Sequence, residues 1–258
     1  MFRVSLEVDL PLTRRGQLKV HAFEGASRWG VDAFVTNRAG GVSATPFDEL
    51  NLGAHVGDTP AAVAQNRLLV ANAIGVAPER LVIVRQVHSD TVLAVNGPLD
   101  DAHGDGLYTD QSDVALCVLV ADCVPILLVD DASTRFAVVH AGWRGLHAGV
   151  VDRALDTFST PSRVHAFIGP SISVSTYQVG PDVAQHFTHV PGAVHADVGD
   201  RSLLDLRAVV VHRLRAYGVA ESSITWSAQS TDGGDVFFSD RAARPCGRFG
   251  LVARRVLT

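Results

Sequence analysis

Three segments of this chain end in a side chain able to bind a metal: Arg85-Gln86-Val87-His88, Ala121-Asp122-Cys123 and Val138-Val139-His140. Each follows an apolar, strand-like run, and residues at strand ends are held in place by the sheet behind them. Two imidazoles and a thiolate form a borderline-soft donor set that suits zinc and accepts copper. Three protein ligands leave a fourth position for water or substrate, which distinguishes a catalytic zinc from a closed structural one. The separations, thirty-five and seventeen residues, match no local zinc-finger spacing. Spacing alone therefore leaves a hydrogen-bonded turn histidine and an inert core cysteine as open readings. A metal-free reading uses the same residues: Cys123 as nucleophile and His140 as base would make a thiol hydrolase or deamidase dyad. The two readings part over His88, because a metal site needs a second imidazole there. A dyad instead needs a carboxylate or amide to orient His140.

The sequence after His140 adds to the site. Ala141-Gly142-Trp143-Arg144-Gly145 sets a Trp-Arg pair between two glycines. Glycine permits close backbone approach to a ligand, Trp143 offers a face for a flat ring, and Arg144 offers a fork for an anion. The alternative is Trp143 in the core and Arg144 in a surface ion pair.

The elements that must position these residues read as an irregular interleaving of strands and helices. Strands are predicted over 1–10, 31–36, 81–87, 114–120, 125–129, 135–139, 164–168, 224–227, 236–238 and 251–256, with 91–95 as a hairpin partner or continuation of 81–87. The run 114–120 is almost wholly apolar, which predicts burial on both faces. Asp58-Thr59-Pro60 caps and starts a helix that stops at Gly75. Further helices are predicted from the glycine turn after His140 to about 158, over 181–187, and over 203–217, where Leu206, Val210, Leu214 and Tyr217 recur at helical spacing. The pattern lacks the regularity of a TIM barrel or a Rossmann unit. It predicts one mixed α/β domain over 1–258, with helices covering a mostly buried sheet.

A chain of 258 residues with 47% hydrophobic content is long enough for a sizeable core. The net charge of −5 and the absence of a basic stripe argue against a nucleic-acid partner. No uninterrupted apolar run is long enough to span a membrane, and the first ten residues alternate rather than form a signal peptide. Three cysteines, Cys117, Cys123 and Cys246, do not make a disulfide framework, so a cytoplasmic location is expected. A pocket confined to one chain predicts a monomer.

Several motifs recur in a fixed order: Arg38-Ala39-Gly40-Gly41-Val42-Ser43, Asn51-Leu52-Gly53, His55-Val56-Gly57-Asp58, Asn66-Arg67, Gln86-Val87-His88, Ala121-Asp122-Cys123-Val124-Pro125, His140-Ala141-Gly142-Trp143-Arg144-Gly145 and Ile168-Gly169-Pro170-Ser171-Ile172. In this series the chain resembles the bacterial laccase-domain family, also called polyphenol oxidase or multifunctional purine nucleoside phosphorylase proteins. The resemblance runs from about residue 31 to 248. It implies zinc, with copper as the alternative metal, bound by His88, Cys123 and His140. It also implies phosphorolysis of adenosine, inosine and methylthioadenosine, with adenosine deamination as a side activity. The fold it implies is an α/β sandwich similar to the catalytic domain of bacterial cytotoxic necrotizing factors. The chain departs from the family pattern at Ser89, where glycine is usual, at Ser175-Thr176, where cysteines often stand, and at Ser230-Thr231 and Asp240-Arg241.

Those activities require particular groups. Deamination needs a hydroxide at neutral pH, which zinc-bound water supplies, and a carboxylate proton shuttle, for which Asp122 is the nearest candidate. Phosphorolysis needs an anion pocket, which Arg38, Arg144 and the amides around Gly40, Gly41 and Gly142 could form. Asn51, Gln86 and Asp105 are the candidates to hold ribose hydroxyls or the base edge, and His55 and His147 are possible partners behind the ligands. The chain has no His-x-His pair, so a four-copper cluster is not expected. Phenol oxidation at a single copper stays open.

Overall fold

The computed structural model describes residues 6–97, 99 and 101–256. Its architecture is mixed α/β. A seven-stranded sheet runs in the order Leu6–Val8, Ile224–Ser227, Val164–Ile168, Val124–Asp130, Phe136–Ala141, Gly106–Thr109 and Val92–Ala94. A six-stranded sheet runs Leu12–Arg15, Leu18–Ala22, Val31–Thr36, Phe249–Arg255, Ala115–Val120 and Leu81–Val82. A small third sheet joins Gln178–Val179, Ser202–Leu204 and Val194–Ala196.

Period-two alternation of strand side chains makes three cores from the same apolar runs. Leu127, Val129, Phe136 and Val138 of the first sheet meet Val118, Val120, Leu251 and Ala253 of the second. The opposite face of the first sheet sends Ile126, Leu128, Ala137 and Val139 against Leu146, Val151, Leu155, Val210 and Leu214. Those residues come from helices Trp143–Ala148, Val150–Leu155 and Leu206–Ala216. The outer face of the second sheet, through Phe34, Cys117, Leu119 and Val252, is covered by Val70 and Ile74 of helix Pro60–Ile74. The result is a helix–sheet–sheet–helix sandwich, and its buried inner strands explain why 115–120, 124–130 and 136–141 are apolar on both faces.

The helix starting at Pro60 is capped as expected: Thr59 accepts from the Ala62 amide at 3.4 Å, and Gly75 closes it in the left-handed region at φ 77°. Elsewhere the structure corrects the sequence reading. The expected strand over 81–87 is a strand only at Leu81–Val82; the chain then leaves the sheet and makes one isolated bridge outside it, Arg85 to His103. Val92–Ala94 pairs in parallel with Gly106–Thr109, so it is neither a hairpin partner of 81–87 nor its continuation. The helix after His140 breaks at Gly149, φ 98°, into two short helices. The helix placed over 203–217 begins at Leu206, capped by Asp205 accepting from Ala208, because 202–204 is a strand. Only Pro181–Ala184 of 181–187 is α-helical. Residues 236–238 are loop, and the apolar signal there reports the burial of Phe237 and Phe238 rather than a strand. The expected N-terminal strand is seen at Leu6–Val8, and residues 1–5 lie outside the described residues.

Leu127 lies fully buried between the two large sheets. Leu127→Ala should destabilise the protein by about 2–5 kcal/mol, read from the urea midpoint. A loss below about 1 kcal/mol would mean the inter-sheet core is not close-packed there.

Candidate metal centre

The centre is built where the chain crosses between the two large sheets. Strand Ala115–Val120 belongs to the six-stranded sheet and Val124–Asp130 to the seven-stranded one, so Ala121-Asp122-Cys123 is the link between layers. Asp122 makes the turn with φ 89°, a left-handed conformation uncommon for a residue with a side chain. Its carboxylate accepts hydrogen bonds from the Thr231 hydroxyl at 2.6 Å, the Ser239 hydroxyl at 2.7 Å and the Arg241 amide at 2.7 Å. The Ile172 amide donates to its carbonyl at 3.0 Å. Asp122 therefore fixes the turn that presents Cys123, and three of its roughly four acceptor sites are taken inside the protein. Its expected role as proton shuttle competes with this structural one.

His140 stands near the end of Phe136–Ala141, paired in register with Pro125, which brings it beside Cys123. His88 comes from the irregular segment after Arg85 and has φ 59°. A single carboxylate holds both histidines. Asp105, with no exposed surface, accepts from the amides of Val87 at 3.3 Å, His88 at 3.0 Å and Ser89 at 2.6 Å, and from the Ser89 hydroxyl at 2.9 Å. It also accepts from His140 Nδ1 at 2.8 Å, while its own carbonyl accepts from the His140 amide at 2.7 Å. With its Nδ1 proton donated to a carboxylate, His140 presents Nε2 to the centre. Asp105 was expected at the substrate; it lies behind a ligand instead.

The donor atoms of His88, Cys123 and His140 all lie within 4.8 Å of one another, with Cys123 Sγ 4.0 Å from His88 Nε2. The two imidazole rings meet edge to face at 4.8 Å. His140 is buried, Cys123 half-buried and His88 exposed, so the cluster opens to solvent on the His88 side. Gly142 has a geometric reason: a Cβ there would sit 2.8 Å from Cys123 Sγ and 2.9 Å from His88 Cδ2. Two imidazoles and a thiol this close, with a carboxylate behind one of them, fit a zinc or copper ion.

Electrostatics favour the charged forms. Burial alone would raise the Asp105 carboxyl, but the His140 imidazole and the Ser89 amide and hydroxyl outweigh it and bring it down to about 2. Burial would also push up the Cys123 thiol; the charge and hydrogen bond of His140, then those of His88, bring it to about 6. Burial would lower His140, yet the Cys123 thiolate and Asp105 carry it to about 9. Without metal the pair is a thiolate facing an imidazolium.

The other sequence-predicted residues divide. Arg38 is spent on the loop: it donates to the carbonyls of Asp48 and Gly234, pairs with the Asp48 carboxylate at 3.3 Å and lies over the Phe238 ring. Gly40 donates its amide to the Glu49 carboxylate, and Gly41 is packed so closely that a Cβ would lie 2.3 Å from the Glu49 carbonyl. Buried Asn51 bonds Gly53, Asp58 and the Arg248 amide. The Gln86 side chain donates to the Leu119 carbonyl and accepts from its amide, both at 2.7 Å, replacing the main-chain ladder where 83–88 has left the sheet. These five were assigned to phosphate or sugar; the polar groups of Arg38, Gly40, Asn51 and Gln86 are instead engaged by the protein, and Gly41 is closely packed. Trp143 and Arg144 stay available. Trp143 is half-buried and stacked on His186 at 6.1 Å, and exposed Arg144 lies 4.3 Å over its ring with no ion-pair partner among the described residues. His147, expected behind the ligands, lies against His186 with the rings tilted by 37° and 4.0 Å apart.

Sequence reasoning missed Tyr177 and Arg241. Arg241 lies 5.2 Å over the Tyr177 ring and donates to the Gln178 carbonyl, and burial followed by the Cys123 charge raises the Tyr177 phenol. The one available signal was the tyrosine of Ser175-Thr176-Tyr177.

Over residues 32–255 the chain matches the family described as multi-copper polyphenol oxidoreductase laccase. A protein of Mycobacterium bovis named purine nucleoside phosphorylase is 42% identical over 226 residues, covering 84% of this chain and 89% of the relative. A Streptomyces coelicolor protein of the same name is 40% identical, covering 83% and 90%. The crystal structure of YlmD from Geobacillus stearothermophilus superposes with a TM-score of 0.88 at 30% identity, covering 97% of this chain and 100% of that one.

Two outcomes are expected. Asp105→Asn should weaken zinc binding about 10–100-fold in chelator competition, because the ligand His140 loses its orienting anion; unchanged affinity would remove Asp105 from the centre. Zinc uptake near pH 7 should release about one proton, since His140 titrates at about 9 and must lose a proton to ligate, whereas Cys123, at about 6, has already lost its own. Affinity should thus fall about tenfold per pH step from 9 to 6 and more steeply below, where the thiolate is also protonated. Calorimetry in buffers of different ionisation heat checks this; zero release at pH 7 contradicts the thiolate–imidazolium pair.

Proposed function

The chain belongs to the laccase-domain polyphenol oxidase family, and from that premise we propose that it is a metal-dependent purine nucleoside phosphorylase acting on adenosine, inosine and methylthioadenosine, with adenosine deamination as a side activity. The observation that carries this reading is the open His88–Cys123–His140 cluster backed by Asp105, in a chain 42% identical to a protein named purine nucleoside phosphorylase. We take the metal as zinc and the enzyme as a cytoplasmic monomer.

Phosphorolysis moves the ribose C1′ from a purine nitrogen to a phosphate oxygen. The glycosidic C–N bond breaks, a C–O bond forms, and the departing purine takes up a proton or shares its charge with a cation. When bound, a divalent ion supplies Lewis acidity and a water of lowered pKa, the second of which suits deamination. His88, Cys123 and His140 would hold it, and Asp105 keeps the Nε2 of His140 turned toward it. Exposed Arg144 and the half-buried face of Trp143 supply a cation and an apolar surface beside Gly142, as a flat, polar-edged base requires.

One observation favours a second reading. Asp105, His140 and Cys123 also compose a nucleophile, base and orienting carboxylate, the arrangement of a thiol hydrolase. His88 separates the two. Protein prepared without chelator should contain about one zinc or copper per chain and form ribose 1-phosphate only when phosphate is present. His88→Ala should lose both the metal and at least about 100-fold in activity. Full activity in His88→Ala with a dead Cys123→Ala would establish the thiol hydrolase, and a metal-free wild type that cleaves no nucleoside would refute the main reading.

A further inference from the structure

We propose that Arg67, Arg85, Arg248 and His55 form a receiving site for a phosphate group on the His88 side of the centre. The placement follows from the end of strand Ala115–Val120. On one side of that end, the Gln86 side chain bonds the Leu119 main chain; on the other, Leu119 faces Gly250 in the ladder. Arg85 and Arg248 therefore lie on the two sides of the strand end that leads into Cys123. Arg67 enters from helix Pro60–Ile74 and clamps the Leu52 carbonyl with Nε at 3.0 Å and a terminal nitrogen at 2.8 Å. The Arg248 backbone is tied to the same turn, accepting from the Leu52 amide and donating to Asn51. The Arg248 side chain lies against Gly53, where a Cβ would meet its Cγ at 2.9 Å. His55 follows two residues later.

The group sets three guanidiniums against the carboxylates of Asp240 and Asp58. Arg248 donates to the Cys246 and Gly247 carbonyls, the Cys246 thiol and, at 3.1 Å, Asp240, while Arg67 and Arg85 pair with no carboxylate among the described residues and Arg85 keeps its guanidinium uncommitted. The Asp58 carboxylate nearby is taken up by Ser43, Asn51 and the Thr59 amide. Cys117, beside Arg67, is kept a neutral thiol by burial, pushed up to about 12. His55 is held toward its neutral form by burial and then by Arg248, Arg67, Arg85 and His88, an independent sign that these cations converge on it. Three guanidiniums and an imidazole at one spot cost electrostatic repulsion that an anion relieves, and a planar fork suits phosphate oxygens. The cluster is compact rather than a stripe, and the chain carries a net −5, which favours a single small anion over a nucleic-acid backbone. The phosphate could be free or esterified to a nucleoside. Use of the site for a cosubstrate rests on the phosphorylase reading; binding of the group does not.

The test is calorimetric titration of the whole protein with inorganic phosphate and, separately, with adenosine 5′-monophosphate, for wild type, Arg85→Ala and Arg14→Ala. Arg85 is exposed and makes no side-chain hydrogen bond among the described residues, so its removal should leave the thermal midpoint in place. Arg14, exposed on a distant hairpin, controls for loss of one positive charge. We expect Arg85→Ala to bind phosphate about tenfold more weakly, Arg14→Ala to match wild type, and the tighter of the two ligands to identify the source. In assays, Arg85→Ala should raise KM for phosphate by a similar factor and leave KM for nucleoside unchanged. Equal phosphate affinity in wild type and Arg85→Ala overturns the proposal, even if nucleoside is cleaved. Arg85-dependent binding in a protein that cleaves no nucleoside upholds the site and refutes the phosphorylase instead.

Discussion

The arrangement depends on one buried anion. Asp105 has no solvent contact, and an ionised carboxylate so placed costs several kcal/mol in lost hydration. The cost is offset by donors converging from three consecutive amides, a hydroxyl and an imidazole. Those donors belong to two segments far apart in sequence, the bend at 87–89 and the strand ending after His140. Neither segment can shift without stranding the carboxylate or its own amides. The same contacts explain why His88 tolerates a left-handed backbone: the turn lines up successive amides on one acceptor.

A second carboxylate does comparable work on the third ligand. Asp122 ties the link between the two sheets to the segment 231–241 through two hydroxyls and an amide. The link is only three residues long, so Cys123 has little freedom once both strands are placed in their layers. Ser230 and Asp240 depart from the family pattern, yet their neighbours Thr231 and Arg241 supply the hydroxyl and the main-chain amide that Asp122 accepts from. The departures therefore leave the ligand geometry intact and fall on the wall formed by Tyr177 and Arg241.

The layered fold was largely legible in the sequence because strands buried on both faces must be long apolar runs, as at 115–120, 124–130 and 136–141. The bend carrying His88 was not, because β-branched residues at 82–84 look like strand whether or not the chain stays in the sheet. For polar residues the difficulty was different. Arg38, Asn51 and Gln86 carry groups suited to a substrate, but sequence does not reveal whether those groups are already engaged by the backbone, and here they are. Asp105 shows the same ambiguity with a better outcome: the residue was noticed, but a carboxylate behind a histidine and one at a sugar hydroxyl look alike in one dimension. Arg85 and Arg248 escaped notice because only the strand end at Leu119 brings their two segments to the same edge of the centre.

The metal and thiol readings share almost all of this structure. A carboxylate that fixes an imidazole tautomer serves a zinc ligand and a general base equally well, and a thiolate stabilised by an imidazolium is both a ligand and a nucleophile. What differs is His88 and its surroundings. It faces solvent, its ring meets His140 edge to face at 4.8 Å, and its bend is held by the same carboxylate that orients His140. A dyad gains nothing from holding a second imidazole at that distance. A metal ion would use both rings in their neutral forms and give the thiolate its counter-charge. The geometry around His88 is therefore the part of the centre that a metal explains and a dyad does not.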